Sequence, residues 1–442
     1  MPMISLLLDL AYCVALLLAL PWLAYKAMRF GKYRAGLVEK LLGSVAPRKL
    51  GRPCVWIHAV SVGEVLLLRR VVSELNGRRP DVEIVISTTT STGMEVARQQ
   101  FGEHTLFYFP VDFSWAVRRA LRRIRPDLVV LAELELWPNF ILAARRSGAR
   151  IAIINGRMSP RSHRGYRRIR FLMRRLLDRI DTLAVQTPQY ALRFTDVGAP
   201  ADRVVVTGSV KYDGVETQRD NHRTTHLRQL FDLRPDELIW VAGSTSEPEE
   251  QIVLDAYQQL RAEQLEVRLI LVPRHKERFD EVAQLIRSRG LPLIRRSSMA
   301  APERSAISNQ RSAILLVDTL GELSAVWGLA DIAFVGGSFA PRGGQNMIEP
   351  AGYGAAVLFG PGVWNFQDTV DHLLACGGAA QVATPQELAQ VVRTLACDSL
   401  LRSQLGAAAR RFVFSQQGAT AKTGTILDQL LGQPRAVLEQ AA

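Results

Sequence analysis

Cysteine is scarce: Cys13, Cys54, Cys376 and Cys397 are the four among 442 residues, with no CxxC pair and no dense framework. That excludes a zinc-ribbon site and a disulfide scaffold and suits reduced, cytoplasmic-side residues. No GxGxxG follows the first predicted strand, which counts against a dinucleotide-binding oxidoreductase. No Lys or Arg precedes the apolar run near the N-terminus, whereas a cleaved signal peptide carries base ahead of its apolar core and a small-residue cleavage site behind it.

What is present is ordinary globular material, 48% hydrophobic and 22% charged, in a chain longer than one hydrophobic core usually supports. Two packed domains are therefore expected. Lys and Arg number 55 against 42 Asp and Glu, a net charge of +13, so a negatively charged neighbour is implied: nucleic acid, anionic membrane or phosphorylated substrate.

Position chooses among these. Residues Ile4 to Tyr25 are almost wholly apolar and end near Trp22 and Tyr25, with Lys26, Arg29, Lys32 and Arg34 following. The run is about long enough to cross a bilayer, which takes roughly 20 apolar residues. Base on its far side places the remainder in the cytoplasm. A spanning anchor is favoured over a surface helix or a cleaved signal, although Asp9 and Pro21 weaken a full span. Two arginine-rich stretches follow: Arg118, Arg119, Arg122, Arg123 and Arg125, then Arg161 to Arg179 with Phe171, Leu172 and Met173 interleaved. They fit solvated helix faces or, better with an anchor on the same half, contact with anionic lipid. No nucleic-acid-binding module accompanies them, so no nucleic acid partner is expected.

From Val55 onward, short β-branched runs alternate with amphipathic stretches, as in an open parallel sheet covered by helices. Val55–Val60, Glu83–Ser87, Leu128–Ala132, Arg150–Ile154 and Arg203–Thr207 read as strands of a first sheet. Residues 211–228 are polar, charged and aperiodic, and read as a linker. A second series follows: Leu238–Ala242, Val267–Val272, Ile314–Val317, Ile332–Val335 and Ala356–Phe359. Arg295 to Arg311 reads as an exposed loop and Gln386 to Glu439 as a terminal helical run. The expected α/β organisation is an anchor helix over 1–30, a Rossmann-like domain over 31–212, a linker over 213–228 and a second Rossmann-like domain over 229–442, the two facing a cleft. Ligands of such sheets bind beyond the carboxyl ends of the strands, and the motifs cluster there.

In the first half, Ser61-Val62-Gly63-Glu64 follows a strand. Glu64 is either a general base for an attacking hydroxyl or a first-turn acid complementing the helix dipole. Glu133-Leu134-Glu135-Leu136-Trp137-Pro138-Asn139 delivers two acids to the same edge, Glu135 with the alternative of a helix N-terminus. Asn155-Gly156-Arg157-Met158-Ser159 presents amide, guanidinium and hydroxyl in one turn, suited to phosphate or sugar. In the second half, Gly243-Ser244-Thr245-Ser246 precedes a helix and makes an anion site. Pro273-Arg274-His275 suits a nucleotide phosphate or a sugar carboxylate. Asp318 to Leu323 fits either a ligand loop or a helix cap. Gly336-Gly337 permits close ligand approach, and Asn346 leads into a turn where Glu349 is placed to accept hydrogen bonds from ribose hydroxyls, with tight turns and a capped helix as the plainer alternative.

These motifs, in this order and over nearly the whole chain, resemble the lipid A Kdo transferases, glycosyltransferases of the GT-B fold that move 3-deoxy-D-manno-octulosonic acid (Kdo) from CMP-Kdo to the lipid A precursor. The resemblance implies that Glu64 is the base and that Ser244, Arg274, His275, Gly336, Gly337, Asn346 and Glu349 hold the donor. It implies that Ser61, Gly63, Glu133, Asn155, Arg157 and Lys211 serve the acceptor. No cofactor or metal is implied, since cationic side chains and helix N-termini can stabilise a leaving phosphate. The implied place is the inner membrane with cytoplasmic catalytic domains. Ser246-Glu247-Pro248 stands where the family typically has His-Glu-Gly, and Gln345 where it typically has His; both substitutions fall in donor-side loops. The alternatives are a GT-B transferase using another nucleotide sugar and lipid, and a lipid-binding homologue without activity.

Overall fold

A computed structural model describes residues 2–30, 34–49, 51–299 and 312–432. Lys32 of the basic cluster, residues 300–311 of the expected loop and the end of the helical run beyond Gly432 lie outside the described residues. Two compact units are present: one takes the chain up to Asp213 together with the chain from Gln417 onward, the other takes Gly214–Gln416.

The first unit is built on a seven-stranded sheet in the order β3-β2-β1-β4-β5-β6-β7, comprising β1 Cys54–His58, β2 Glu83–Thr88, β3 Thr105–Tyr108, β4 Leu128–Ala132, β5 Arg150–Gly156, β6 Thr182–Val185 and β7 Val204–Val206. All pairings are parallel. Parallel sheets are covered on both faces, so a strand needs apolar residues at every position. In β1, alternation sends Cys54 and Trp56 to one core and Val55 and Ile57 to the other. Trp56 packs edge-on against Phe107 and Phe140 at 5.1 and 4.9 Å, and its indole N–H donates to Ser87 Oγ at 2.7 Å.

The second unit repeats the plan in the order β10-β11-β9-β8-β12-β13-β14: β8 Ile239–Thr245, β9 Arg268–Pro273, β10 Leu293–Arg295, β11 Ile314–Leu316, β12 Ile332–Val335, β13 Ala356–Phe359 and β14 Ala379–Gln381. Four strands escape the sequence pattern: β3, β10 and β14 are short strands at sheet edges, and β6 is a four-residue interior strand. Each has its short apolar run cut by a polar residue (Thr105, Thr182, Arg295 and Gln381), whereas the equally short β7, β11, β12 and β13 are wholly apolar.

Two boundaries differ from expectation. The stretch read as an aperiodic linker contains a helix, His222–Leu230, capped by Asn221, whose side chain accepts from Thr224 N; it buries Thr224 and Leu227. The final helix, Ala419–Gly432, belongs to the first unit and not to the second domain. Its Leu427 and Leu430 join the core that holds Leu68 and Leu75 of helix Val62–Arg78. The crossing is close, because a Cβ on Gly424 would stand 2.7 Å from Glu74 Cγ. The chain leaves and re-enters this unit at one place, where the Asp213 carboxylate accepts from the backbone N–H of Gly418 and Thr420.

Candidate functional site

Strand order reverses between β1 and β4 in the first unit and between β8 and β12 in the second. These are the switch points at which a crevice opens beyond the strand ends. Ser61, Gly63, Glu64 and Glu133 follow the switch-point strands of the first unit, and in the second Ser244 lies at the end of β8 and Gly336 and Gly337 follow β12. Asn155 and Arg157, by contrast, lie at the end of β5, Lys211 comes after β7, and Arg274 and His275 follow β9.

In the first unit, β1 runs through Ala59 and Val60 into helix Val62–Arg78 with Ser61 as N-cap. Ser61 and Glu64 form a reciprocal box: Glu64 N donates to Ser61 Oγ at 3.3 Å, Ser61 Oγ donates to Glu64 Oε1 at 2.8 Å, and Val60 N donates to Glu64 Oε2 at 2.9 Å. Glu64 is half-buried. The box fixes the carboxylate at the carboxyl end of β1, so capping and a chemical role are compatible. Gly63 lies exposed on the same turn.

Beyond the neighbouring β4, Glu133 takes φ +57° and accepts from Arg157 Nε at 2.7 Å. Glu135 accepts from the Trp137 indole at 2.8 Å. The Glu135 carboxyl is raised to about 7, first by burial and then by the charges of Glu64 and Glu133, against the Trp137 hydrogen bond. Glu64 thus stands near enough to Glu135 for its charge to act on that carboxyl. Glu135 was noticed in the sequence only as one of two acids in a motif; its proximity to Glu64 is a tertiary fact.

The raised value has a measurable sign. Between the ordinary carboxyl value of 4.5 and about 7, the folded state holds a proton that the unfolded state has released, so this group's contribution declines as pH rises through that window. Glu135→Gln is expected to raise the Tm by roughly 2–4 °C at pH 8. The gain should vanish below about pH 4.5, and thermal melts of both proteins across pH check it; an equal shift at every pH would contradict the assignment.

Asn155, at φ +51° and buried, points its carbonyl oxygen at Ser209 Oγ (3.3 Å) and Val210 N (3.2 Å). Its carbonyl oxygen is therefore engaged in holding the loop that carries Lys211. Arg157 is half-exposed and aims from the same turn.

In the second unit the anion site expected at Gly243–Ser246 is already filled. The Glu249 carboxylate, fully buried, accepts from Ser246 N (3.0 Å) and Gly337 N (2.7 Å) through one oxygen and from Ser338 N (2.8 Å) and Phe339 N (2.9 Å) through the other. It ties the loop after β8 to the loop after β12. Gly336 and Gly337 serve this closure and do not simply leave room for a ligand. A Cβ on Gly336 would stand 2.6 Å from Ser244 O and Thr245 Cα, and Gly337 has φ +71° with Gln345 packed on it. Ser244 is buried at φ +56°, and Ser246 is buried in the same knot. In the chain Glu249 is simply the first residue of helix Glu249–Ala262, and nothing local marks it as a loop closure.

Arg274 follows β9, where its backbone N–H donates to Thr245 O at 2.9 Å. Its exposed guanidinium has no partner among the described residues. His275 Nε2 lies 3.2 Å from Arg342 Nη1. Asn346 orders the next turn, accepting from Ile348 N at 3.0 Å and donating to Glu349 Oε1 at 2.9 Å; burial raises the Glu349 carboxyl, against the hydrogen bonds from Asn346 and Ser324. Three predicted site residues, Glu133, Asn155 and Ser244, are among the six non-glycine residues at positive φ within the described residues. Such conformations persist only where surrounding contacts enforce them, and they concentrate at functional loops.

Comparison with known proteins shows the family and the fold. A family model described as 3-Deoxy-D-manno-octulosonic-acid transferase (kdotransferase) matches residues 28–214. The 3-deoxy-D-manno-octulosonic acid transferase of Bordetella pertussis is 32% identical over 420 residues, 93% of this chain and 93% of its own. That of Haemophilus influenzae is 32% identical over 83% of this chain and 84% of its own. Among solved structures, MurG of Acinetobacter baumannii superposes with a TM-score of 0.55 at 15% identity, covering 86% of this chain and 100% of that one. A glycosyltransferase of Rickettsia africae ESF-5 gives 0.54 at 12% identity, with coverage of 87% and 100%. At those identities the structures speak to fold, which is that of the GT-B glycosyltransferases.

Proposed function

Because the chain belongs to the 3-deoxy-D-manno-octulosonic acid transferase family and is a glycosyltransferase, we propose that it moves Kdo from CMP-Kdo to the lipid A precursor lipid IVA, without a divalent metal, at the cytoplasmic face of the inner membrane. The observation that carries this is the Glu64 carboxylate, held by a capping box at the β1–β4 switch point beside Glu135. In the reaction, an acceptor hydroxyl oxygen forms a bond to the anomeric carbon of Kdo. The bond from that carbon to the phosphate oxygen breaks, CMP departs with the electron pair, and the hydroxyl proton passes to Glu64. Arg157, Glu133 and Lys211 serve the phosphorylated glucosamine acceptor, and the Asn155 loop positions them. Ser61 and Gly63 shape the turn that presents the base.

The second unit holds the donor. Arg274 carries the one guanidinium on these loops left without a protein partner among the described residues, and it suits the phosphate or the Kdo carboxylate. Glu349, steadied by Asn346, suits the ribose hydroxyls. His275 joins Arg342 nearby. Ser244, Gly336 and Gly337 contribute by fixing the loop backbone. The apolar helix Pro2–Phe30 supports membrane association.

Membranes carrying the protein should release CMP from CMP-Kdo only when tetraacylated lipid A precursor is added, and the product mass should rise by Kdo units. Release of CMP without acceptor modification, or transfer from a UDP-sugar instead, would refute the assignment. Arg274→Ala is expected to raise the KM for CMP-Kdo roughly 10–100-fold, the worth of a charge-assisted hydrogen bond. Its melting temperature should match the parent's, since the exposed guanidinium has no hydrogen-bond or ion-pair partner among the described residues; initial-rate kinetics and a melt check both parts.

A further inference from the structure

Helix Pro2–Phe30 has the length and composition of a membrane span over Ser5–Phe30, but its first third is fastened to the folded unit behind it. Ser5 and Asp9 are 8% and 9% exposed, whereas Leu6, Leu17 and Leu18 are 70%, 67% and 79% exposed. Asp9 Oδ1 accepts from Ser114 N at 2.8 Å and from Asn139 Nδ2 at 3.1 Å, and Oδ2 accepts from Ser114 Oγ at 2.6 Å. One turn later Tyr12 OH donates to Asp112 Oδ2 at 3.1 Å, and its ring meets Phe113 edge-on. Asp112 in turn accepts from Asn139 N and Phe140 N at 2.9 and 2.8 Å. An aspartate in an apolar helix thus sits on the N-termini of helices Ser114–Ile124 and Pro138–Arg146, where the positive ends of both dipoles favour it.

A helix that crossed the bilayer before entering this unit would carry Ser5 to Tyr12 to the opposite side. Along the helix Asp9 is about 30 Å from Phe30 at 1.5 Å per residue, the full thickness of the hydrocarbon. It could not then bond to Ser114 and Asn139. Ser114 also takes Arg118, through Nη2 to its hydroxyl at 2.8 Å and Nε to its carbonyl at 2.9 Å. Arg118, Arg122, Arg125 and Arg146, with Trp115, line an open groove between the same two helices. Arg122 and Arg146 have no ion-pair partner among the described residues.

We propose that this helix lies in the plane of the membrane, clamped through Asp9 to the first unit, with its leucine row in the lipid and the adjacent arginine groove seated on the phosphates of an anionic bilayer surface. The chain is then monotopic: Ser5 to Tyr12 and the catalytic units share one side. The proposal rests on the membrane association proposed above and is independent of the sugar donor.

The test uses the full chain with an epitope ahead of Met1. In intact spheroplasts the epitope should resist added protease, and in inverted inner-membrane vesicles it should be cleaved; cleavage in spheroplasts overturns the proposal. Recovery of the protein in the soluble fraction would overturn it together with the membrane reading, while leaving donor turnover unaffected. Asp9→Leu supplies a second measure, since it makes the helix more apolar. It should lower the melting midpoint of the detergent-purified protein by on the order of 5 °C, and an unchanged midpoint would mean that the clamp does not exist. Arg122→Glu with Arg146→Glu should cut flotation with phosphatidylglycerol vesicles at least fivefold and leave the weak flotation with phosphatidylcholine vesicles unchanged; equal flotation of parent and variant on the anionic vesicles would remove the groove from the proposal.

Discussion

Glu64→Gln should lose roughly 10²–10⁴-fold in turnover while folding normally and binding CMP as the parent does. The substitution is chosen for what it keeps. A glutamine at the third position of a capping box still accepts from Val60 N, the bond now made by Glu64 Oε2 at 2.9 Å. What disappears is the proton acceptor. Glu64→Ala removes both and should add a stability loss of about 1 kcal/mol. Single-turnover measurement of Kdo transfer, with a thermal melt and CMP titration on the same preparations, separates the two functions. Turnover within a few-fold of the parent in Glu64→Gln would leave Glu64 as a cap only and shift attention to Glu135, whose raised proton affinity lets it exchange a proton near neutral pH.

The second large effect concerns a residue that need not touch substrate. Glu249 satisfies four backbone N–H donors from two loops. Glu249→Gln replaces one acceptor oxygen by a donor NH₂, so that two buried N–H groups face another donor. At about 1–3 kcal/mol for each unsatisfied buried group, the loss is roughly 2–6 kcal/mol. The second unit should unfold at clearly lower urea, and CMP-Kdo affinity should fall with it because the Arg274 loop hangs on Thr245 through a backbone bond. Urea unfolding followed by tryptophan fluorescence reports the change, since Trp240 and Trp327 are buried in this unit. An unchanged midpoint would show that these loops are held by something other than the carboxylate.

Much of the fold was legible because parallel strands buried on both faces must be apolar at every position. Leu128–Ala132, Ile332–Val335 and Ala356–Phe359 stand where the sequence placed them. The motifs after those strands were legible for a related reason: a small or polar residue directly after an apolar run marks the point where the chain leaves the sheet. Arg274 was readable as a charge delivered to an edge. The linker failed as a prediction because the helix His222–Leu230 buries only Thr224 and Leu227, too few apolar positions to leave a periodic trace. The terminal helix was recognised as a helix but assigned to the wrong unit, since amphipathicity states that a face is buried and not against which partner.

By itself, then, the sequence determined the two parallel sheets, the loops at their carboxyl ends, and the acid, amide and guanidinium groups placed there, because each of these follows from neighbours a few residues apart. Tertiary structure alone decided the pairings. Asp9 finds Ser114 across 105 residues, Glu249 finds Gly337 across 88, and Glu135 comes under the charge of Glu64. A carboxylate in a chain is equally ready to be a base, a cap, a clamp or a loop closure. Which it becomes depends on the donors and charges that folding brings within about 3 Å of it and on how much water is then left.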